Sequence, residues 1–360
     1  MKKKIVILGS TGSIGRSTLE VINKDKKNFD IILLTANNNY KKLIQQAKQF
    51  KARNVIIRNS KFFEKVKKSL KKNKTKVYFG DIAINRICKK IDYTMSAVVG
   101  LAGLQPTIDA IKISKTVALA NKETIICGWE ILSKIIKKYG TKIVPVDSEH
   151  FSIMELTKGM KNDDVEEIII TASGGPFLNK SIGKIKNMKA KEAIKHPNWK
   201  MGKKISVDSA NMMNKIFEII EAYRLFKFDK SKYKILIHPQ SYVHSIIRFK
   251  NGLIKMILYN SDMKIPIFNT LYNDRKNFFN TSQVEIKKLN NLNFQKINPK
   301  KFPSIRLLKR CFTSGPSTPI IINSANEVLV NLFLKGKIGF LDIVKTINGI
   351  FKDQDFKKYA

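Results

Sequence analysis

The chain has 360 residues, 43% of them hydrophobic, enough for more than one core, so two or three domains are expected. Its formal charge of +40 comes from cations spread along the whole length among Asn and Ile, without a basic tail or interleaved aromatics, which argues against a nucleic-acid module. Cys88, Cys127 and Cys311 are odd in number and far apart, which excludes a disulfide frame and a Cys-x-x-Cys zinc site, and no run of about 18 apolar residues offers a membrane span.

Met1-Lys2-Lys3-Lys4 leads straight into Ile5-Val6-Ile7-Leu8 with no signal-peptide core, and the expected setting is soluble and cytoplasmic, with no membrane partner. After that apolar run come Gly9-Ser10-Thr11-Gly12-Ser13-Ile14-Gly15 and a helical pattern through Ile22. Strand, glycine turn and helix open a dinucleotide-binding unit, because glycines let backbone N–H groups and the helix N-terminus approach a pyrophosphate. The spacing is G-x-x-G-x-x-G rather than G-x-G-x-x-G, and alone it also fits a plain glycine turn. The second strand, 31–34, ends in Asn37-Asn38-Asn39, where an NAD site carries an acidic residue for the ribose 2′-hydroxyl. Its absence favours NADP, although no arginine stands at the strand end; Arg58, Lys41 or Lys42 would have to reach a 2′-phosphate.

Strand-like runs at 54–57, 76–79, 94–97 and 117–120 alternate with helical stretches, the pattern of a doubly wound, mostly parallel sheet. The run 117–120 delivers Asn121-Lys122-Glu123. Here Lys122 orients a substrate or nicotinamide, or Asn121 simply caps a helix over 124–138 with Glu123 in its first turn. The last run, Ile143-Val144-Pro145-Val146, opens into Asp147-Ser148-Glu149-His150. If the backbone stays extended, Asp147 and Glu149 share one side, and their like charges call for a divalent cation with oxygen ligands. Alternatively Asp147 or Ser148 caps a helix over 151–158.

Beyond residue 150 the alternation changes. A strand over 167–172 runs into Ser173-Gly174-Gly175-Pro176, whose bare backbone suits an anion. The segment 196–202 breaks regular structure around Trp199, as a lid over a ligand or as an ordinary tryptophan anchor. A helix beginning near Asp208 or Ser209 puts Asn214, Lys215 and Glu218 on one face, suited to a phosphate and a third metal carboxylate, or to a solvated ion pair. Strands follow at 235–237, 245–249 and 253–258, the last two joined by the hairpin signal Asn251-Gly252. Residues 273–303, polar with Pro299 and Pro303, read as a linker, and helices are expected over 305–312, 320–334 and 341–351.

Together these stretches resemble the 1-deoxy-D-xylulose 5-phosphate reductoisomerase family. The motifs GSTGSIG (9–15), ANKE (120–123), PVDSEH (145–150), SGGPF (173–177), HPNW (196–199), KISVDSA (204–210), MMNK (212–215) and IHPQS (237–241) occur in family order. The resemblance implies an α/β chain: a Rossmann-like NADPH-binding domain over 1–150, an α+β catalytic and dimerisation domain over 151–272, a linker over 273–303 and a small helical domain over 304–360, shortened at its end. It implies Asp147, Glu149 and Glu218 as ligands of Mg²⁺, Mn²⁺ or Co²⁺, and a catalytic set of these three with Lys122 and His196. Lys122, Ser148, Glu149, His196 and Glu218 would meet the substrate's reacting end, Ser173, Ser209, Asn214 and Lys215 its phosphate, and Trp199 and Met201 a closing lid. Thr11, Gly12, Ser13 and Ile14 would hold the cofactor pyrophosphate and Asn37, Asn38 and Asn39 its adenosine end. Asn121, Glu123, Met201 and Gly202 would lie nearer the ribose and nicotinamide.

The implied activity, in a homodimer, is NADPH- and metal-dependent isomerisation and reduction of 1-deoxy-D-xylulose 5-phosphate, a phosphorylated sugar, to 2-C-methyl-D-erythritol 4-phosphate. The cation would polarise the ketone while the skeleton rearranges, by retro-aldol cleavage and recombination, before hydride transfer. Three features depart from the family pattern: Ile216 in place of glycine after Asn214-Lys215, Asn37-Asn38-Asn39 in place of a Gly-Lys-Asn-like turn, and an end soon after Phe351, short of an expected final helix. Competing readings are another two-domain dehydrogenase, which would need a nucleophilic cysteine, and a basic nucleic-acid module.

Overall fold

Short Ile, Val and Leu runs bounded by turns form the seven strands of a first sheet. They are β1 (Lys3–Leu8), β2 (Phe29–Ala36), β3 (Asn54–Ile57), β4 (Lys76–Phe79), β5 (Ile91–Ser96), β6 (Ser114–Leu119) and β7 (Lys142–Pro145). The structure, a computed structural model, describes residues 1–199, 201–272, 279 and 285–359. All seven strands pair in parallel in the order β4-β3-β2-β1-β5-β6-β7. Continuous rather than alternating apolar runs are what a sheet covered on both faces requires, and Ile5, Val6, Ile7, Leu33, Leu34, Val117 and Leu119 are fully buried. The strand order reverses at β1, with β2 on one side and β5 on the other, which opens a crevice at the carboxyl ends of β1 and β5. The expected doubly wound sheet is therefore present.

A second, mixed sheet comprises β8 (Val165–Ala172), β9 (Tyr233–Ile237), β10 (Val243–Phe249), β11 (Ile254–Leu258) and β12 (Gln295–Lys296), in the order β11-β10-β8-β9-β12. Only β8 and β9 run parallel. The hairpin expected at Asn251-Gly252 forms: Gly252 takes φ +84 and donates its N–H to the Phe249 carbonyl at 3.0 Å. Ile168, Ile170, Ile219, Phe228, Ile247 and Phe249 make the core beneath this sheet.

The chain divides into two compact units, Met1–Phe151 with Asp262–Thr281, and Ser152–Ser261 with Ser282–Ala360. This differs from the four expected segments in two places. The helix Lys264–Leu271, assigned above to the central domain, belongs to the first unit and packs on the helix Ser13–Asn23. It buries Ile267 and Leu271, and Thr270 Oγ1 lies 3.0 Å from Tyr93 Oη. The C-terminal helices Thr318–Leu334 and Phe340–Ile350 group with the second unit, with Asn326 Nδ2 donating to Asp208 at 2.8 Å. Of the expected linker, 273–278 and 280–284 lie outside the described residues; its remainder includes β12, which pairs with β9.

The helix expected from Asp208 onward is two helices, Lys203–Ala210 and Met213–Phe226. Asn211 Oδ1 accepts from Met213 N at 3.0 Å, and buried Met212 sits at φ +66, a conformation costing a non-glycine residue about 1–2 kcal/mol. The break restarts the helix just ahead of Asn214, so Asn214 and Lys215 stand in a first turn. Ile216, where the resemblance leads one to expect glycine, is fully buried there. Among the described residues no helix is long and apolar enough to cross a membrane.

Candidate active site

Gly9 follows β1 at φ +78, and a Cβ there would stand 2.6 Å from the Ala97 carbonyl oxygen, across the switch point, so only glycine fits. A Cβ on Gly15 would lie 2.4 Å from the Gly9 carbonyl oxygen; its absence lets the helix Ser13–Asn23 press onto the strand end. Gly12 differs, for its added Cβ would meet only the Gly9 carbonyl oxygen, at 3.4 Å. It is the N-cap of a helix with no side-chain cap and no acidic residue in its first turn, a positive end open to an anion. Buried Gln46, which the sequence reading did not single out, ties the turn down: Ser10 Oγ donates to its Oε1 and its Nε2 donates to the Ser10 carbonyl, both at 2.8 Å. Its partner lies 36 positions away, so nothing local marks it. At the end of β2, Asn37 is exposed, Asn38 Oδ1 accepts from Asn59 at 2.9 Å, and Asn39 caps the helix Tyr40–Phe50.

The strands β6 and β7 end side by side, Leu119 opposite Pro145. Asn121 caps the helix Lys122–Tyr139, accepting from Thr124 N at 3.1 Å and donating to the carbonyls of Gly100, at 2.9 Å, and Val98. Glu123 is buried in the first turn, and Lys122 reaches Asp147 at 3.2 Å. At residue 147 the extended alternative fails: the Asp147 carbonyl accepts from Phe151 N at 2.8 Å, and the helix Ser148–Leu156 starts at once with Glu149 in its first turn. The carboxylates nevertheless approach, with an oxygen of each within 4.8 Å of the other. Ser148 Oγ donates to Glu149 at 2.5 Å, and His150 Nδ1 lies 3.4 Å from Asp147.

In the second unit, the turn after β8 holds Gly174 at φ +84 and Gly175 at φ +65, and a Cβ on Gly175 would stand 2.8 Å from the Ser209 carbonyl oxygen. Ser173 Oγ lies 2.8 Å from His196 Nε2, while His196 Nδ1 accepts from the backbone N–H groups of Asn198 at 3.2 Å and Trp199 at 3.0 Å. Burial, and then the Lys215 charge, pull the His196 imidazole down to about 4, so the ring is neutral. With Nδ1 accepting, the ring proton sits on Nε2 and is donated to Ser173 Oγ, which also accepts from Gly175 N at 3.1 Å. Ser173 thus accepts twice and keeps its own hydroxyl hydrogen to give away.

A histidine NMR titration should show no His196 transition near the ordinary 6.5; a midpoint there would contradict this geometry. Because its folded value lies below its unfolded one, His196 lowers stability as pH falls from about 6.5 through about 4, and has no such effect above 6.5.

Asn214 Nδ2 and Lys215 Nζ both donate to Glu218, the lysine at 2.7 Å. With side chains only 8% and 2% exposed, Lys215 and Glu218 are not the solvated pair that the spacing alone allowed. Asn198 Nδ2 donates to the Pro239 carbonyl at 2.6 Å and to Ser241 Oγ at 2.8 Å, and Trp199 meets His244 edge-on at 6.0 Å. The IHPQS motif therefore anchors the Trp199 loop, a role invisible in the sequence. Met201 and Gly202 lead into the helix Lys203–Ala210, with Gly202 as its N-cap.

A doubly wound sheet with an anion-ready glycine turn, no acidic ribose grip, and two carboxylates beside a lysine at neighbouring strand ends defines an NADP-dependent oxidoreductase. Cys88 and Cys311 do not offer a nucleophile, since burial pushes Cys88 up to about 11 and Cys311 up to about 12. Comparison with known proteins is more specific. The family model for 1-deoxy-D-xylulose 5-phosphate reductoisomerase matches residues 5–128, that for its C-terminal domain 143–226, and a DXP reductoisomerase C-terminal domain model 258–360. The reductoisomerase of Pelagibacter ubique is 50% identical over 360 residues, covering 99% of this chain and 93% of that one. That of Bacteroides fragilis is 41% identical over 96% of this chain and 90% of the relative. Among solved structures, the Zymomonas mobilis reductoisomerase in complex with NADPH superposes with a TM-score of 0.91 at 36% identity, covering 100% of this chain and 93% of that one. A DOX-P reductoisomerase with NADPH, fosmidomycin and magnesium gives 0.92 at 33% identity, over 99% and 90%. The chain belongs to the 1-deoxy-D-xylulose 5-phosphate reductoisomerase family.

Proposed function

We propose that Asp147 and Glu149 of the first unit and Glu218 of the second share one divalent cation, and that the chain there converts 1-deoxy-D-xylulose 5-phosphate to 2-C-methyl-D-erythritol 4-phosphate with NADPH, a step toward isoprenoid precursors. The observation that carries this is the Asp147–Glu149 pair beside Lys122, at the ends of β6 and β7 in the parallel sheet whose β1 leads into the glycine turn, in a chain matched throughout its length by this family. Carboxylate oxygens are hard donors and fit magnesium or manganese; the related structure with magnesium supports that choice. When bound, the cation supplies Lewis acidity at the substrate carbonyl, and NADPH supplies the hydride.

The chain's own residues do the rest. Lys122 and Ser148 orient the reacting end. Ser173 donates its spare hydroxyl hydrogen to a phosphate oxygen, and Ser209, Asn214 and Lys215 complete that anion site. Trp199, on its Asn198 anchor, and Met201 exclude water, while Thr11, Gly12, Ser13 and Ile14 receive the pyrophosphate and Asn121, Glu123 and Gly202 lie toward the nicotinamide. Exposed Leu253, Ile254 and Met256 at the edge strand β11 support a homodimer built on the second sheet. Cys88 and Cys311, buried and free, suit a cytoplasmic setting.

The assay follows loss of NADPH absorbance with deoxyxylulose phosphate and Mg²⁺. Turnover should vanish with a chelator and return with excess Mn²⁺, while NADPH binding survives chelation. A folded, NADPH-binding protein that never turns over this substrate would overturn the reading.

A further inference from the structure

Resting on the reading of this chain as an NADPH enzyme, we infer that Arg58 holds the cofactor's adenosine 2′-phosphate, displacing the carboxylate of Asp81 that its guanidinium grips in this structure. The end of β2 offers no cation of its own, since it carries Asn37-Asn38-Asn39, and no acidic residue occurs between Asp30 and Glu64 to hold a ribose diol. The neighbouring strand end supplies what is missing. The Arg58 N–H donates to the Ala36 carbonyl at 2.8 Å and the Asn59 N–H to the Asn37 carbonyl at 3.2 Å, so the two strand ends continue their pairing into the turns. Asn59 Nδ2 bonds Asn38 Oδ1 at 2.9 Å and fixes the turns to each other. Arg58 thus stands beside the residue that follows β2, where the 2′ substituent of a dinucleotide arrives in this fold.

Its guanidinium already binds an oxyanion in fork geometry, Nε to Asp81 Oδ1 at 2.7 Å and Nη2 to Oδ2 at 3.2 Å. The carboxylate stands in for two phosphate oxygens. Both partners are well exposed, 47% and 76%, so the pair is weak and a phosphate of higher charge exchanges for it readily. The other nearby cations are less suited: Lys42 Nζ is engaged by Gln45 at 3.0 Å, and Lys41 presents a single-point charge without a fork.

The test is direct binding of NADPH and NADH, read by fluorescence, to the wild-type chain and to Arg58→Ala, Arg58→Gln, Lys41→Ala and Asp81→Asn. Both Arg58 variants are expected to weaken NADPH by about ten- to hundredfold while NADH changes by less than about twofold. Asp81→Asn is expected to tighten NADPH alone, by roughly two- to fivefold. Equal loss of both nucleotides in the Arg58 variants, no loss of either, or a selective loss found in Lys41→Ala instead would overturn the assignment. A wild-type chain that binds neither nucleotide would instead remove the NADPH reading itself.

Discussion

Glu218→Gln is expected to lower kcat/KM by about a thousandfold or more while NADPH affinity stays within about twofold of wild type. Glutamine keeps the length and one acceptor oxygen of the side chain, so the bond from Asn214 can persist. What disappears is the negative charge, one of the three that the proposed cation site would supply. Because Glu218 is 1% exposed and Lys215 lies 2.7 Å from it, the substitution also removes a carboxylate paired with a buried ammonium, with a stability cost of up to about 3 kcal/mol. Two readouts separate these effects. Urea denaturation reports the loss of the Lys215–Glu218 ion pair, and Mn²⁺ titration followed by electron paramagnetic resonance should show weakened metal binding in protein that is still folded. Turnover near the wild-type level would remove Glu218 from the metal site.

The three glycines of the first turn should separate by role. Gly9→Ala combines a left-handed φ with a Cβ 2.6 Å from a backbone oxygen and is expected to destabilise by about 2–4 kcal/mol. Gly15→Ala, with a Cβ 2.4 Å from the Gly9 carbonyl oxygen, is expected to cost about 1–3 kcal/mol. Gly12→Ala makes only an ordinary contact with the Gly9 carbonyl oxygen, at 3.4 Å, and as a poorer N-cap should cost no more than about 1 kcal/mol. Its methyl group nevertheless stands at the uncapped helix start, so NADPH binding should weaken by about tenfold or more. Urea midpoints and NADPH titrations on the three variants check this. Gly12→Ala as the least stable of them, or binding NADPH like wild type, would refute the division.

The parallel sheet was legible in the sequence because buried strands covered on both faces must be continuously apolar, and the runs at 54–57 and 76–79 coincide with β3 and β4. The Asn251-Gly252 hairpin was legible for a local reason, the left-handed turn it needs. Local patterning also marked Asn121 as a cap, and the spacing of Asn214, Lys215 and Glu218 put them on one helix face. What patterning could not show were consequences of distant contacts. The helix Lys264–Leu271 joins the first unit through Tyr93 and the helix Ser13–Asn23, far upstream. The break at Met212 depends on the Asn211 side chain and on Ser304, whose hydroxyl bonds the Asn211 carbonyl. At Asp147 and Glu149 a paired set of carboxylates and a helix start were read as alternatives; the structure combines them, since the helix start rather than a strand's alternation brings the carboxylates together. The burial of the Lys215–Glu218 pair likewise belongs to packing and not to spacing.

Anomalous diffraction from crystals grown with Mn²⁺, NADPH and a substrate analogue tests the shared metal most directly. One manganese peak bonded to carboxylate oxygens of Asp147, Glu149 and Glu218, at roughly 2.0–2.3 Å, is the predicted result. A peak held by Asp147 and Glu149 with Glu218 still paired to Lys215 and out of bonding range, or a peak elsewhere, would contradict it.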